Sequence, residues 1–531
     1  MMVAGSSEKA PGVGLRREMS YLDLTMASLS GIVGSGWLFG AYYATQDAGP
    51  AAIFAWIFGA IAIGLMALLY MELSGMMPEA GGIARYPDVS HGRVTSFIIS
   101  WGAYLGGAAT PPIEAEAVMQ YASHYVPGLY VNGLLTGRGL VLAIALVLVL
   151  FAINYYGIKA FAYINTRLTF LKMIVPWLTV IVLAFLFKGV NFTVAGFAPH
   201  GVTGIMTAVS TAGVIFALLG FRQAIDFGGE AKNGSRDVPR AVLTAIGIAT
   251  LLYLGLQLVF VGAMPTHLIS GPHGWSGITF TSPFANIALV VGLGWLATLL
   301  FADAILSPGA DTLVYLGTSP RILYAMQKNG YMPKVIGRVH PQFRVPFVAL
   351  IVNVILGLVF LLPFPSWQRM VGFISSVVVV SYLIGPVSAA ALRRTAPDAP
   401  RSFRLGWVNL WAPLAFVFAG FIVYWSGWPT DGYVLLLLAV GFLFFAIHAV
   451  RTGIPAREWK ASIWIASYIV FLVLLSYLGS FGGLKVIAYP WDLVCVVLAS
   501  VGAYYWGVHS GIQTEAADRL NQGRAIDDLT G

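Results

Sequence analysis

The chain has 531 residues, of which 58% are hydrophobic and only 10% charged. Soluble domains carry about 25% charged residues, so a water-soluble enzyme is excluded. The 60 glycines show no three-residue period, which excludes a fibrous chain, and the net charge of +8 finds its explanation in topology below.

Met1 to Ser20 is polar and lacks an apolar core followed by a small-residue cleavage site, so it predicts a retained segment rather than a signal peptide. A membrane helix needs roughly 20 apolar residues. About fourteen such runs follow, near 22–47, 51–75, 94–125, 138–156, 161–187, 206–229, 240–264, 283–318, 346–363, 367–392, 408–427, 430–450, 461–479 and 488–509. The third and eighth exceed one bilayer thickness and predict tilt or projection into loops. With the N-terminus inside, 24 of the 30 basic residues fall in cytoplasmic segments, from Lys9, Arg16 and Arg17 through to Arg524. Only Arg138, Lys188, Arg369 and Lys485 fall outside, leaving Lys172 and Arg222 within spans. This bias places both termini in the cytoplasm, and no nucleic-acid partner is needed to explain the charge. The single Cys495 lies in an apolar run, so neither a disulfide framework nor a zinc site is expected.

The first span contains Ser30-Gly31-Ile32-Val33-Gly34-Ser35-Gly36-Trp37-Leu38-Phe39-Gly40. Each glycine inside a continuous helix costs about 1 kcal/mol. Close helix packing would use Gly36 and Gly40, but Gly34-Ser35-Gly36 puts small residues all round the helix and fits a break better. A break frees the N–H groups of Ser35, Gly36 and Trp37 at the positive end of a half-helix, where a carboxylate binds. Carbonyls before it, such as that of Ile32, are then open to an ammonium group. The sixth span begins a second set of five helices. An odd number of crossings inverts that set, as in the inverted repeats of secondary transporters.

Five motifs in order strengthen this reading. They are Gly34-Ser35-Gly36; Glu72-Leu73 with Pro78-Glu79-Ala80-Gly81-Gly82 and Arg85-Tyr86; Phe216-Ala217 with Gly220-Phe221; Glu230-Ala231-Lys232-Asn233 with Arg236 and Pro239; and Ser319, Arg321, Tyr324-Ala325, Gly330, Pro333 and His340-Pro341. Over residues 20–350 the chain resembles the amino acid–polyamine–organocation (APC) permease superfamily. That resemblance implies an all-α polytopic membrane protein with a LeuT-type five-plus-five inverted repeat, about 14 transmembrane helices, and helices 1 and 6 broken at mid-membrane. The implied organisation is a cytoplasmic segment 1–20, a transporter core 21–392 with halves about 21–187 and 206–392, four additional helices in 393–509, and a cytoplasmic tail 510–531. It also implies substrate contacts at Ile32, Ser35, Gly36 and Trp37, and at Phe216, Ala217 and Leu219. Phe216 resembles an aromatic gate; the plain alternative is an ordinary core or lipid-facing Phe.

Asn165, Thr169 and Lys172 recur at helical spacing and give the fifth span one polar face. Lys172 either snorkels to the interface or sits buried at a coupling site. Related proton-coupled permeases have a Lys here, in a run matched by Leu171-Lys172-Met173, which implies H⁺ as the driving ion; the candidate carboxylate partners in proton coupling are Glu116 and Asp303. Arg222 within the sixth span needs a partner, from Glu114, Glu116, Asp303 or Asp311. Asp303, Ser307, Asp311 and Tyr315, four apart, form one polar stripe that must point inward. Arg222 belongs either to a structural ion-pair network or, with Tyr315, to a site for an acidic side chain. The stretches Gly31 to Gly40 and Pro112-Ile113-Glu114-Ala115-Glu116-Ala117 resemble bacterial aspartate–proton symporters and favour an anionic amino acid.

No phosphate-cradling loop, nucleophile elbow or metal motif is found, which argues against an ATP-driven pump or a membrane hydrolase; no cofactor or metal is expected. The last four spans hold almost no ionisable residue and read as scaffold or oligomer contact. The expectation is therefore a proton-coupled amino-acid symporter of a bacterial inner membrane, with its partners the substrate, H⁺ and the bilayer. An electroneutral amino-acid or amine exchanger on the same fold is the alternative, and a transporter-like nutrient sensor a further one.

Overall fold

The computed structural model describes residues 15–524 apart from 132–133, 157 and 362–366. The expected N-terminal segment up to residue 14, with Lys9, and the end of the tail after residue 524 lie outside the described residues. The described chain is almost wholly helical. Its first half runs through α1 (Tyr21–Ile32), α2 (Gly36–Ala48), α3 (Ala52–Met76), α4 (Gly82–His91), α5 (Arg93–Ala122), a short hairpin of β1 (Tyr130–Val131) and β2 (Leu134–Leu135), α6 (Gly137–Tyr155), α7 (Ile158–Ala184), α8 (Gly201–Thr211), α9 (Gln223–Asp226) and α10 (Gly234–Gly262). The second half comprises α11 (Thr266–Ile269), α12 (Pro283–Val290), α13 (Gly294–Lys328), α14 (Phe347–Phe360), α15 (Trp367–Tyr382), α16 (Ile384–Thr395), α17 (Val408–Ser426), α18 (Thr430–Thr452), α19 (Ala456–Leu478), α20 (Trp491–Ser510) and α21 (Glu515–Asn521).

Among the described residues, ten helical stretches are long and apolar enough to cross a membrane, or eleven when the bent pair from Gly201 to Asp226 is counted as one span. The protein is a multi-pass membrane protein. The expected count of fourteen is larger for identifiable reasons. The helices α2 and α3 run on as one apolar stretch, Gly36–Met76, α1 has 12 residues, and α14 has 14. The 30-residue α5 carries prolines, glycines and two glutamates, and is absent from the ten. The eighth expected run divides into α12 and α13 at Gly292, whose φ of +80° turns the chain.

Two elements set the centre of the molecule. The helix α1 starts at a capping box in which Ser20 Oγ accepts from the Asp23 amide and Asp23 Oδ2 from the Ser20 amide, at 3.3 and 3.0 Å. Helical bonding then stops at Ile32 and resumes at Gly36. The sixth expected span likewise stops at Thr211, turns at Gly213 with φ +92°, and continues as a 3₁₀ turn over Phe216–Arg222 into α9, with a bend of 44°. The two interrupted runs lie against each other. Ser28 Oγ donates to the Phe221 carbonyl at 3.0 Å and accepts from the Ala224 amide at 3.1 Å, tying α1 to the 3₁₀ turn and to α9. Around them pack α3, α5, α7, α10, α13 and α15.

The C-terminal helices are less neutral than their sequence suggested. Asp431, Glu458 and Asp492 are all buried there. Asp431 accepts from Ser376 Oγ at 2.9 Å, and Asp492 from Tyr424 Oη at 2.6 Å. Glu458 pairs with Arg93 of α5 at 3.0 Å. Each of these carboxylates ties a C-terminal helix to a neighbour, and its polar partner offsets the cost of burial.

Candidate substrate and proton site

The interruption of α1 leaves both poles of a half-helix inside the protein, and protein groups meet each of them. On the amide side, Ser35 N donates to Glu114 Oε2 and Ser35 Oγ donates to Glu114 Oε1, both at 2.7 Å. Trp367 Nε1 donates to the same Ser35 Oγ at 2.7 Å. A carboxylate at the start of the 13-residue α2 is favoured by the helix dipole. On the carbonyl side, Tyr253 of α10 donates its hydroxyl to the Ile32 carbonyl at 2.7 Å. The expectation of unoccupied poles is thus corrected, because a glutamate and a tyrosine from distant helices already satisfy them. A carbonyl has two lone pairs, so the Ile32 oxygen retains capacity for a second donor.

Gly36 opens α2 directly against Ala217 of the 3₁₀ turn, with so little room that an added Cβ would lie 2.8 Å from the Ala217 Cβ. The two interruptions touch here, and again where Gly220 packs on the backbone of Gly31. Phe216, one residue earlier, sets its ring edge-on to Trp367 at 6.0 Å between centroids. Trp367 also contacts Phe39 at 4.8 Å and stacks on Tyr43 at 5.6 Å, so Phe216 belongs to an aromatic cluster and not to a lipid-facing surface. The Leu219 carbonyl accepts from Tyr382 Oη at 2.9 Å. Trp37 is buried with its ring 5.9 Å from Phe284.

Lys172 is wholly buried, which rules out snorkelling. Its Nζ donates to the Ser30 carbonyl at 2.8 Å, two residues before the end of α1, and to the Ser307 carbonyl of α13 at 3.3 Å. The acidic groups around it are Asp311, Asp303 and Glu114. Asn165 and Thr169 on the same face are buried too. Asp303 accepts from Ser307 Oγ at 2.7 Å, and all four residues of the Asp303–Tyr315 stripe are buried. Glu116 is not in this cluster. It faces the loop hairpin, where Tyr130 Oη donates to its Oε1 at 3.3 Å, and Glu114 takes the place expected of it beside Lys172.

Arg222 pairs with none of the four expected acids. Its partner is Asp226, one turn along, at 2.9 Å, and both side chains are buried. Local helical spacing supplies this pair more cheaply than a contact across the bundle. Nη1 of Arg222 has no hydrogen-bond partner among the described residues. Tyr382, Tyr315 and Tyr70 lie around the guanidinium, and Tyr315 also neighbours Asp311 and Glu114. The motif residues outside the centre form ion pairs. Glu230 binds Arg321 through both carboxylate oxygens, and Glu72 accepts from Arg393 Nε at 2.8 Å with Arg401 Nε at 3.4 Å.

Sequence reasoning missed Trp367, Tyr253 and Tyr382 as site residues, and placed Glu114 only as a partner for Arg222. Nothing in the local sequence separates those aromatics from the other tyrosines and tryptophans. For Glu114 a signal existed, since a carboxylate in an apolar span demands a buried donor. Among the described residues no cluster of His, Cys, Asp and Glu is arranged to hold a metal.

A largely helical multi-pass membrane protein with an interrupted helix beside a buried lysine and three carboxylates has the build of a carrier of small solutes. A family model for amino acid permeases matches residues 19–434, and the chain belongs to that family. It is 41% identical over 515 residues to the glutamate/serine transporter AimA of Bacillus subtilis (strain 168), covering 94% of this chain and 95% of that one. It is 38% identical over 512 residues to the aspartate–proton symporter of the same organism, covering 95% and 98%. The branched-chain amino acid permease BcaP from that organism is 26% identical over 467 residues, 85% of this chain and 96% of its own.

Proposed function

We propose that the protein is a proton-coupled symporter of amino acids, working by alternating access, with an acidic amino acid such as aspartate or glutamate as the favoured substrate. The observation that carries this reading is the Lys172, Glu114, Asp311 and Asp303 cluster at the interruption of α1. Buried charge in a membrane protein is costly and marks ion and proton pathways. The names of the two most similar relatives reported above, a glutamate/serine transporter and an aspartate–proton symporter, support the substrate class and the coupling ion.

In this reading the fourteen apolar runs all cross the bilayer, and the core of 21–392 is an inverted repeat with halves 21–187 and 206–392. Helices 1 and 6 are its broken members, 393–509 adds four helices, and both termini are cytoplasmic in a bacterial inner membrane. The substrate α-carboxylate docks on the amides of Ser35, Gly36 and Trp37, and the ammonium on the Ile32 carbonyl. The residues Phe216, Ala217 and Leu219 close the opposite side. The Arg222 Nη1 unused by Asp226 is suited to a side-chain carboxylate. Lys172 bonds the last turn of α1 to α13. Its protonation state therefore bears on whether those helices stay together, while Asp303 and, nearer the loop hairpin, Glu116 lie on the proton route.

The test is radiolabelled uptake by purified protein in proteoliposomes with aspartate, glutamate and serine, with and without an imposed pH gradient. Acid-outside vesicles should accumulate the acidic amino acids above equilibrium, and Lys172→Ala should abolish that accumulation. Full accumulation by Lys172→Ala would refute the role of the lysine. Counterflow with no gradient dependence in the unaltered protein would make it an exchanger.

A further inference from the structure

Glu114 makes the contacts that a substrate carboxylate is expected to make. One of its oxygens accepts from the backbone amide of Ser35 and the other from the Ser35 hydroxyl, at the positive end of α2. Two carboxylates do not fit on that amide, so a substrate docking there must displace the glutamate. We infer that Glu114 is an internal stand-in for the substrate α-carboxylate at the start of α2, and that it gives up this place as a neutral acid whose proton arrives through Asp311. The inference rests on the transport reading above and deepens it.

Gly34 makes the arrangement possible. A side chain there is excluded, because an added Cβ would lie 2.8 Å from Asp311 Cγ and 2.9 Å from Glu114 Oε2. The two carboxyl groups therefore converge on the space a side chain would fill, and they are in hydrogen-bond contact. A hydrogen bond between two carboxyl groups needs a proton on one of them. The groups facing this pair are Lys172 from α7, Tyr315 from α13 and Tyr253 from α10, and Lys172 faces Asp303 as well. One ammonium thus stands against three buried carboxyl groups. A fourth carboxylate, from the substrate, enters at least cost if one proton enters with it.

The exchange balances. An O–H bond breaks on Asp311 and one forms on Glu114, Asp311 regains its proton from solution, and the substrate carboxylate takes the Ser35 amide. The charge at the head of α2 is then unchanged, and one proton enters per substrate bound. Lys172, bonded in this state to the Ser30 and Ser307 carbonyls, supplies the counter-charge beside the pair.

The full-length protein in detergent provides the test, with L-aspartate, L-glutamate and L-serine as probes. On the alkaline side of the profile, affinity should tighten about tenfold per unit fall in pH, with about one proton taken up per ligand bound. Glu114→Gln, always neutral, should bind with a flat pH profile and no proton uptake. The same slope in Glu114→Gln as in the unaltered protein would overturn the inference. If the variant does not fold, infrared difference spectra of the unaltered protein decide instead. Ligand binding should add one carboxylic-acid carbonyl band, and its absence overturns the proposal. Failure of the unaltered protein to bind any of the three amino acids would instead overturn the transport reading itself.

Discussion

The close approach of α2 to the 3₁₀ turn makes a sharp structural prediction, for Gly36→Ala. The new methyl would lie 2.8 Å from the Ala217 Cβ and 3.1 Å from its Cα, where ordinary contact begins near 3.4 Å. Neither neighbour is the far end of a flexible side chain, so α2 and the 3₁₀ turn must separate by about 0.6 Å, the difference between 2.8 and 3.4 Å. Overpacking of this kind costs about 1–3 kcal/mol. A displacement approaching 1 Å at a binding site costs up to about 100-fold in rate. The expected result is a modest loss of melting temperature with a ten- to hundredfold loss of uptake. Ala217→Gly added to Gly36→Ala moves the methyl from one run to the other. The nearest atom is then the residue 217 Cα at 3.1 Å, so most of the loss should be regained. Gly247→Ala on α10 is the control. No atom lies within 4 Å of its added Cβ, so it should stabilise by about 0.5–1 kcal/mol. Uptake and thermal denaturation of the four proteins check the argument. An active Gly36→Ala, or no rescue by Ala217→Gly, refutes it.

Two further predictions concern buried charge. Arg222→Ala strips Asp226 of its cation in a site closed to solvent and should destabilise by about 3–5 kcal/mol, whereas Arg222→Met with Asp226→Asn removes both charges and should restore most of the melting temperature. That stable double variant should take up serine better than aspartate; an unchanged aspartate preference would assign Arg222 to structure alone. His91, on α4 outside the long apolar helices, donates from Nε2 to the Gly507 carbonyl, and burial lowers its imidazole to about 4. An imidazole kept neutral in the fold contributes fully above the unfolded value of about 6.5 and loses that contribution as pH falls towards 4. The loss at pH 5 is about 2 kcal/mol, 1.5 units at about 1.36 kcal/mol each. Melting curves at pH 7.5 and pH 5 should therefore show less acid sensitivity for His91→Gln; equal sensitivity would contradict this account.

The linear chain by itself determined the class of the protein. Burying or solvating a residue in lipid depends on its own chemistry, so long apolar runs and scarce charge are enough to specify a multi-pass helical protein. The same local logic covers the interruption near Ser35, since Gly34-Ser35-Gly36 weakens helical bonding wherever it is placed. It also covers the Asp303–Tyr315 stripe, whose spacing puts its members on one face, whereas the burial of Lys172 was left open until the helices were packed. What the tertiary structure alone decided is which groups meet. Glu114 and Glu116 sit two apart on α5 and look equivalent in sequence. The helix turns one onto the Ser35 amide and the other towards Tyr130. Arg222 found its partner within its own turn, and Tyr253, Trp367 and Tyr382 reach the interruptions from helices far along the chain. Such contacts depend on the rotation and offset of packed helices, which are properties of the assembled bundle and are not encoded in the spacing of residues along any one segment.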